Sequence, residues 1–160
     1  MQMQGYVFDE SELFRSISRS GARALLIGRR ALVALGLPVL TGDYDFWLHI
    51  DDMVAFNEAL APLELYPSCT VAAARTRGRY VLENDERVDV FVARAVNTID
   101  GVRVVFDDVW ARRRSVEVTP GVATCMPCID DLIATKRFAA RARDIEDIRL
   151  LELLREEDGE

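Results

Sequence analysis

Two aspartates one residue apart, Asp43 and Asp45 in Thr41-Gly42-Asp43-Tyr44-Asp45-Phe46-Trp47-Leu48, are the residues whose types and spacing point most directly to chemistry. If this stretch is a strand, its period of two places both carboxylates on one face, with Tyr44 and Phe46 on the other. Like charges held that close repel unless a positive charge sits between them. Paired carboxylate oxygens that leave positions open for water and phosphate suit Mg²⁺. Just upstream, the apolar run Ala24-Leu25-Leu26-Ile27 stops at Gly28, where the missing Cβ permits a tight turn into a helix. Such a turn offers backbone N–H groups to an anion. A carboxylate pair beside a phosphate-accepting turn points to nucleotide chemistry.

A further carboxylate, Asp89, lies inside the alternating strand Val88-Asp89-Val90-Phe91-Val92, where an unpaired charge is costly. Asp43 could instead cap a turn after Thr41-Gly42, and Asp45 could pair with an arginine. The third carboxylate in an apolar strand favours metal binding.

The ordered set of apolar strand, Gly28, helix, Thr41-Gly42-Asp43-Tyr44-Asp45 and a later strand with Asp89 resembles the polymerase-beta-like nucleotidyltransferase superfamily. It is most similar to the small bacterial branch that includes abortive-infection toxins of toxin-antitoxin pairs. The stretch from Ile129 to Lys136, followed by Arg143-Asp144-Ile145-Glu146-Asp147, is similar to the helical end of that branch, so the resemblance spans roughly residues 23 to 152. It implies that Asp43, Asp45 and Asp89 are catalytic and hold two Mg²⁺ ions, with Asp89 accepting the proton of the attacking hydroxyl. Gly28, Arg29, Thr41 and Lys136 are then the nucleotide-binding positions. The implied reaction moves a nucleoside monophosphate from a nucleoside triphosphate to a hydroxyl on RNA or protein, with an antitoxin as the implied partner chain.

This sequence departs from the family pattern in two places. Arg29 replaces the small residue that lets the backbone close on a triphosphate, and Val39 stands where an arginine is often found. A long side chain at position 29 either blocks phosphate or contacts it. Blockage would leave a catalytically impaired module that binds a protein or nucleic-acid partner.

Around these residues the chain reads as one α+β domain of 160 residues, a mixed sheet flanked by helices with a helical C-terminus and frayed ends at 1–5 and 156–160. Half of the residues are hydrophobic and 29% charged, ordinary values for a globular protein. There is no run of the eighteen or so apolar residues that a membrane span needs, nor a basic patch followed by an apolar core at the N-terminus, so a cytoplasmic location is expected. The net charge of −7 argues against a surface broadly devoted to nucleic acid. The arginines are nonetheless clustered, at Arg75, Arg77 and Arg79, at Arg112 to Arg114, and at Arg137, Arg141 and Arg143. A local basic face for a phosphate-bearing partner is compatible with that spacing. Cys69, Cys125 and Cys128 are odd in number, and the Cys125–Cys128 pair lacks a second pair to complete a zinc site, so a structural role is expected.

The remaining elements follow from periodicity and turn residues. An opening helix from Asp9 carries Leu13, Phe14 and Ile17, and Ser20-Gly21 ends it. A helix capped by Asp51 or Asp52 carries Met53, Phe56, Leu60 and Leu63. Residues 79–83 and 87–93 read as a hairpin around Asn84-Asp85-Glu86, and 116–118 with 122–124 as another around Pro120-Gly121. Asp130 is expected to cap a helix carrying Leu132, Ile133 and Ala140, and Ile145, Ile148, Leu151 and Leu154 to form a last one. Trp47 and Trp110 are assigned to the core.

Overall fold

Asp9 accepts hydrogen bonds from the N–H groups of Ser11 and Glu12 and so starts α1, Glu10–Ser20, which Gly21 stops in the left-handed conformation. The computed structural model describes residues 7–139 and 141–159. The segment 1–5, expected to fray, and Ala140, expected on a helix, lie outside them. The strand β1, Ala24–Ile27, is buried at all four residues and passes at Gly28 into α2, Gly28–Ala34. A loop then leads into β2, Tyr44–Leu48. Next come α3, Met53–Leu60, the short edge strand β3, Tyr66–Pro67, and α4, Val71–Arg77. The hairpin β4, Arg79–Glu83, and β5, Arg87–Phe91, completes the sheet. Two small hairpins follow, β6, Ala95–Asn97, with β7, Arg103–Val105, and β8, Arg114–Thr119, with β9, Val122–Met126, separated by α5, Phe106–Ala111. The chain closes on α6, Ile129–Lys136, and α7, Ala142–Gly159, the latter extending across 156–159.

Five strands make one mixed sheet in the order β1-β2-β5-β4-β3, with β2 and β5 parallel and every other neighbouring pair antiparallel. Alternation gives the sheet two unlike faces. Tyr44, Phe46, Leu48, Val88, Val90, Tyr80 and Leu82 point into the main core with Leu13 and Phe14 of α1 and Phe56 and Leu60 of α3. Burying each large side chain here contributes about 1.5–3 kcal/mol. The opposite face carries Ile27, Asp45, Trp47, Asp89 and Phe91, and only its Leu25–Trp47 end is covered, by Val104, Phe106 and Val109. Trp47 donates from Nε1 to the Ala93 carbonyl at 2.8 Å, which satisfies its one polar group inside that smaller core. The face is therefore half floor and half open cleft.

Several expectations need correction. The strand that carries Asp45 begins at Tyr44 rather than near Thr41, because Thr41 Oγ1 accepts the Asp43 N–H at 3.0 Å in a turn, leaving Asp43 just ahead of the strand. Neither Asp51 nor Asp52 caps α3 with its side chain; Asp52 instead takes a two-pronged ion pair from Arg23 at 2.8 and 3.0 Å. Cys128, not Asp130, occupies the N-cap of α6. Trp110 is only half-buried and has Arg113 stacked 4.0 Å over its ring. Ahead of the hairpin, α4 spans Val71–Arg77, capped by Thr70 and ended by Gly78.

Candidate active site

The parallel pairing of β2 with β5 sets Asp45 opposite Asp89, and the antiparallel pairing of β1 with β2 sets Ile27 opposite Asp45. Three segments distant in sequence thus meet at one point. Gly28 follows Ile27 with φ +71°, and a Cβ there would collide with the Asp45 carboxylate and come within 3.1 Å of the Asp45 Cβ. Only glycine lets the turn pass this close. The resulting cleft, about 530 Å³, is lined on one side by Asp43, Asp45 and Asp89 and on another by Lys136, Arg141, Arg143 and Asp144. Ile27, Phe91, Val96, Phe138 and Ala139 supply an apolar wall.

Each carboxylate is held differently. Asp45 is half-buried, and among the described residues no hydrogen bond reaches its carboxylate. Burial, then the charges of Asp89 and Asp43, push its carboxyl up to about 6. Asp43 sits on a loop fixed from behind by Arg30, which donates to the Asp43 carbonyl at 3.3 Å and the Thr41 carbonyl at 3.1 Å. Arg30 is itself anchored by Glu10 at 3.3 Å and stacks 4.2 Å over the Tyr44 ring. Asp89 is bridged by the exposed Arg87, at 3.1 and 3.2 Å to Oδ1.

Among the described residues no group of three or more His, Cys, Asp or Glu side chains converges into a ready-made metal site. The chemistry of the set still suits a hard divalent cation. Its donors are all carboxylate oxygens, Asp45 has no hydrogen-bonding partner among the described residues, and the charge that burial and then Asp89 and Asp43 disfavour there is one a bound cation would stabilise.

Of the sequence-predicted residues, Gly28, Asp43, Asp45, Asp89 and Lys136 line the cleft. Thr41 and Arg29 do not; they border a small side pocket with Gly28, Asp43 and Asp45. Arg29 donates to Asp147 through Nε at 3.2 Å and Nη2 at 3.1 Å, and from Nη1 to the Leu40 carbonyl at 3.3 Å. Lys136 is 7% exposed and donates to Asp147 at 2.9 Å, with Asp144 at 3.9 Å. Burial pushes Asp147 up, but the hydrogen bonds from Lys136 and Arg29 outweigh it and hold its carboxyl below the usual range. Asp147, fully buried, is thus the hub that joins α2, α6 and α7 behind the cleft. Asp144 takes both a side-chain and a backbone bond from Arg141.

The apolar wall and Arg141 were not singled out as site residues from sequence. The signal for Phe91 was available, since it stands two residues after Asp89 on the same strand face. Phe138 and Val96 come from irregular or short segments with no periodicity to read. Cys69, Cys125 and Cys128 are free thiols outside the cleft. Among the described residues no helix is long and apolar enough to cross a membrane.

No protein-family model matches the sequence, and no curated protein sequence matches it. Solved structures do resemble the fold. A protein from Thermotoga maritima described as a candidate nucleotidyltransferase superposes with TM-score 0.57 at 15% identity, covering 91% of this chain and 87% of that one. The antibiotic-resistance factor ANT(2'')-Ia gives TM-score 0.59 at 12% identity over 91% and 86% of the two chains. The lincosamide antibiotic adenylyltransferase LnuA, bound to lincomycin, gives 0.60 at 14% identity over 92% and 98%. The α+β architecture, a mixed sheet flanked by helices with a helical C-terminus, is the nucleotidyltransferase fold.

Proposed function

We propose that the protein is a metal-dependent nucleotidyltransferase of the cytoplasm that moves a nucleoside monophosphate from a nucleoside triphosphate to an acceptor hydroxyl. The observation that carries this reading is the register of Asp45 against Asp89 beside the Gly28 turn, with Asp43 at the mouth of the same cleft. Two of the structural neighbours are, by their descriptions, an antibiotic-resistance factor and an antibiotic adenylyltransferase, which is consistent with a small acceptor molecule as well as with RNA or protein. A toxin-antitoxin role rests on the sequence resemblance.

In this reading the base lies along Phe91, Val96 and Phe138, and the phosphates lie toward Arg141, Arg143 and Lys136. Asp43, Asp45 and Asp89 would hold two Mg²⁺ ions, which neutralise phosphate charge and polarise the α-phosphate. The acceptor oxygen forms a bond to the α-phosphorus as the bond to the bridging oxygen breaks. Pyrophosphate leaves with that electron pair, and the hydroxyl proton passes to the Asp89 carboxylate and then to solvent.

The test is thermal unfolding with Mg²⁺ alone and then with each nucleoside triphosphate, paired with pyrophosphate release. A nucleotide at a hundred times its dissociation constant adds about 2.7 kcal/mol, or roughly 5 to 10 °C in a domain of this size. Asp45→Asn should lose the shift. A wild-type protein that shows neither a shift nor pyrophosphate release with any nucleotide would sink the reading. That outcome would favour a catalytically impaired module that binds a protein or nucleic-acid partner, with the cause sought elsewhere than at Arg29, whose side chain is bonded to Asp147 outside the main cleft.

A further inference from the structure

A second groove, about 340 Å³, opens toward β4 and is lined by Asp45, Asp89 and Phe91, which it shares with the first, and by Ser68, Tyr80, Arg77, Arg79 and Arg87. Apart from the two aspartates of the transfer site, every charged side chain that lines it is an arginine. The fold builds this deliberately from local geometry. Arg77 ends α4, Gly78 turns the chain with φ +77°, and Arg79 begins β4, so residues on either side of the turn reach the same groove. Arg79 shares the sheet face of Val81 and Asp89 through the register of β4 with β5.

The arginines differ in their commitments. Arg87 is paired with Asp89. Arg75, one of the three alternating arginines of the sequence, turns away to Asp51 at 3.4 Å. Arg77 and Arg79 are exposed, and among the described residues neither has an acidic partner within ion-pairing distance. On a chain of net charge −7, two uncommitted guanidinium groups beside the reacting carboxylates form a local field opposite to that of the whole molecule. Guanidinium recognises phosphate through paired N–H donors.

We infer that this groove receives the acceptor and that the acceptor carries phosphate near its reactive hydroxyl. The inference rests on the nucleotidyl-transfer reading and supplies its acceptor class. The nucleotide enters by the cleft of Phe91 and Phe138, the acceptor by the groove of Arg77 and Arg79, and the two meet at Asp45 and Asp89. Both openings reach Asp45 and Asp89, so a nucleotide and an acceptor hydroxyl can be brought to the same carboxylates. An RNA end and a small sugar phosphate share this chemistry.

Binding is measured first, apart from transfer, as anisotropy of a fluorescein-labelled single-stranded RNA with a free 3′ hydroxyl, with ribose 5-phosphate as competitor. Arg77→Ala and Arg79→Ala are each expected to weaken RNA binding about tenfold, the scale of one charge-assisted contact. Each should also reduce the salt slope by about one. Transfer is then followed with Mg²⁺ and α-labelled nucleotide on RNA, ribose 5-phosphate and ribose. Label on RNA alone identifies a strand as acceptor, and label on both RNA and ribose 5-phosphate shows that one phosphate suffices; either supports the assignment. Equal labelling of ribose and ribose 5-phosphate, unaffected by both substitutions, overturns it. A nucleotide-induced thermal shift without binding of RNA or sugar phosphate overturns the groove assignment while transfer stands. Arginine-dependent RNA binding with no nucleotide shift overturns the transfer reading while the groove stands as a phosphate-binding surface.

Discussion

Arg29 grips Asp147 with two parallel bonds at 3.1 and 3.2 Å, so the side chain that replaces a small residue beside the Gly28 turn is committed to the C-terminal helix. Its guanidinium neither fills the main cleft nor lies free for phosphate. Arg29→Gly is therefore expected to cost about 2 kcal/mol in urea unfolding, because Asp147 keeps only Lys136. It should bring no gain in nucleotide affinity. A double-mutant cycle with Asp147→Asn should show a coupling of about 1 to 3 kcal/mol; additive effects would mean that the pair does not act as a unit.

Asp147 also sets an acid limit. Its folded-state pKa lies below the ordinary carboxylate value, so its stabilisation is complete above about pH 4 and is lost as pH falls through the folded value. Asp147→Asn should destabilise the protein by about 3 kcal/mol at neutral pH, leaving Arg29 without its anion and Lys136 with only the more distant Asp144. The gap between variant and wild type should narrow below pH 4. Urea midpoints measured from pH 3 to 8 would show this.

Asp45 has the opposite sign. Its carboxyl is raised to about 6 from 3.8, so the folded state binds the extra proton and stability falls as pH rises from about 4 to 6. Above pH 6, in chelator, Asp45→Asn is expected to be more stable than wild type by about 1 to 3 kcal/mol. Added Mg²⁺ should stabilise the wild type and leave the variant unmoved. A variant less stable than wild type in chelator at pH 7.5 would count against a strained carboxylate.

Gly28→Ala tests the close approach. The new Cβ must adopt a positive φ and displace the Asp45 carboxylate, a combined cost of about 2 to 4 kcal/mol. Pyrophosphate release should fall further than stability alone explains. Gly36→Ala is the control, since it too has a positive φ but no neighbour within 4 Å, and it should cost only about 1 to 2 kcal/mol.

Arg30→Ala should affect rate rather than stability. Its bonds to the Thr41 and Asp43 carbonyls fix the loop that presents Asp43, and it is partly exposed. Transfer is expected to slow by about tenfold or more, with the urea midpoint changed by less than about 1.5 kcal/mol equivalent.

The sequence was most readable where periodicity and chemistry coincide. The apolar run into Gly28, the alternation through Asp45 and the single charge at Asp89 were enough to place β1, β2 and β5 and their carboxylates. What could not be read was long-range pairing. Nothing local in Arg29, Lys136 or Asp147 announces that three segments converge on one buried carboxylate. The edge strand β3 and the strand β6 are too short for a pattern to show, whereas the Asp100-Gly101 turn and the mostly apolar run from Val102 to Phe106 do mark β7. The closing of α4 by Gly78 is local, but its consequence, two arginines lining one groove, depends on the register of β4 with β5.

The one parallel pair in the sheet has a consequence for folding. Between Asp45 and Asp89 the chain runs through α3, β3, α4 and β4, and closing so long a loop makes this pairing slow relative to the local hairpins. The cationic side of the cleft comes later still, from α6 and α7. The carboxylates of β2 and β5 therefore wait on segments far along the chain, and the cleft has its cationic side only once α6 and α7 have docked.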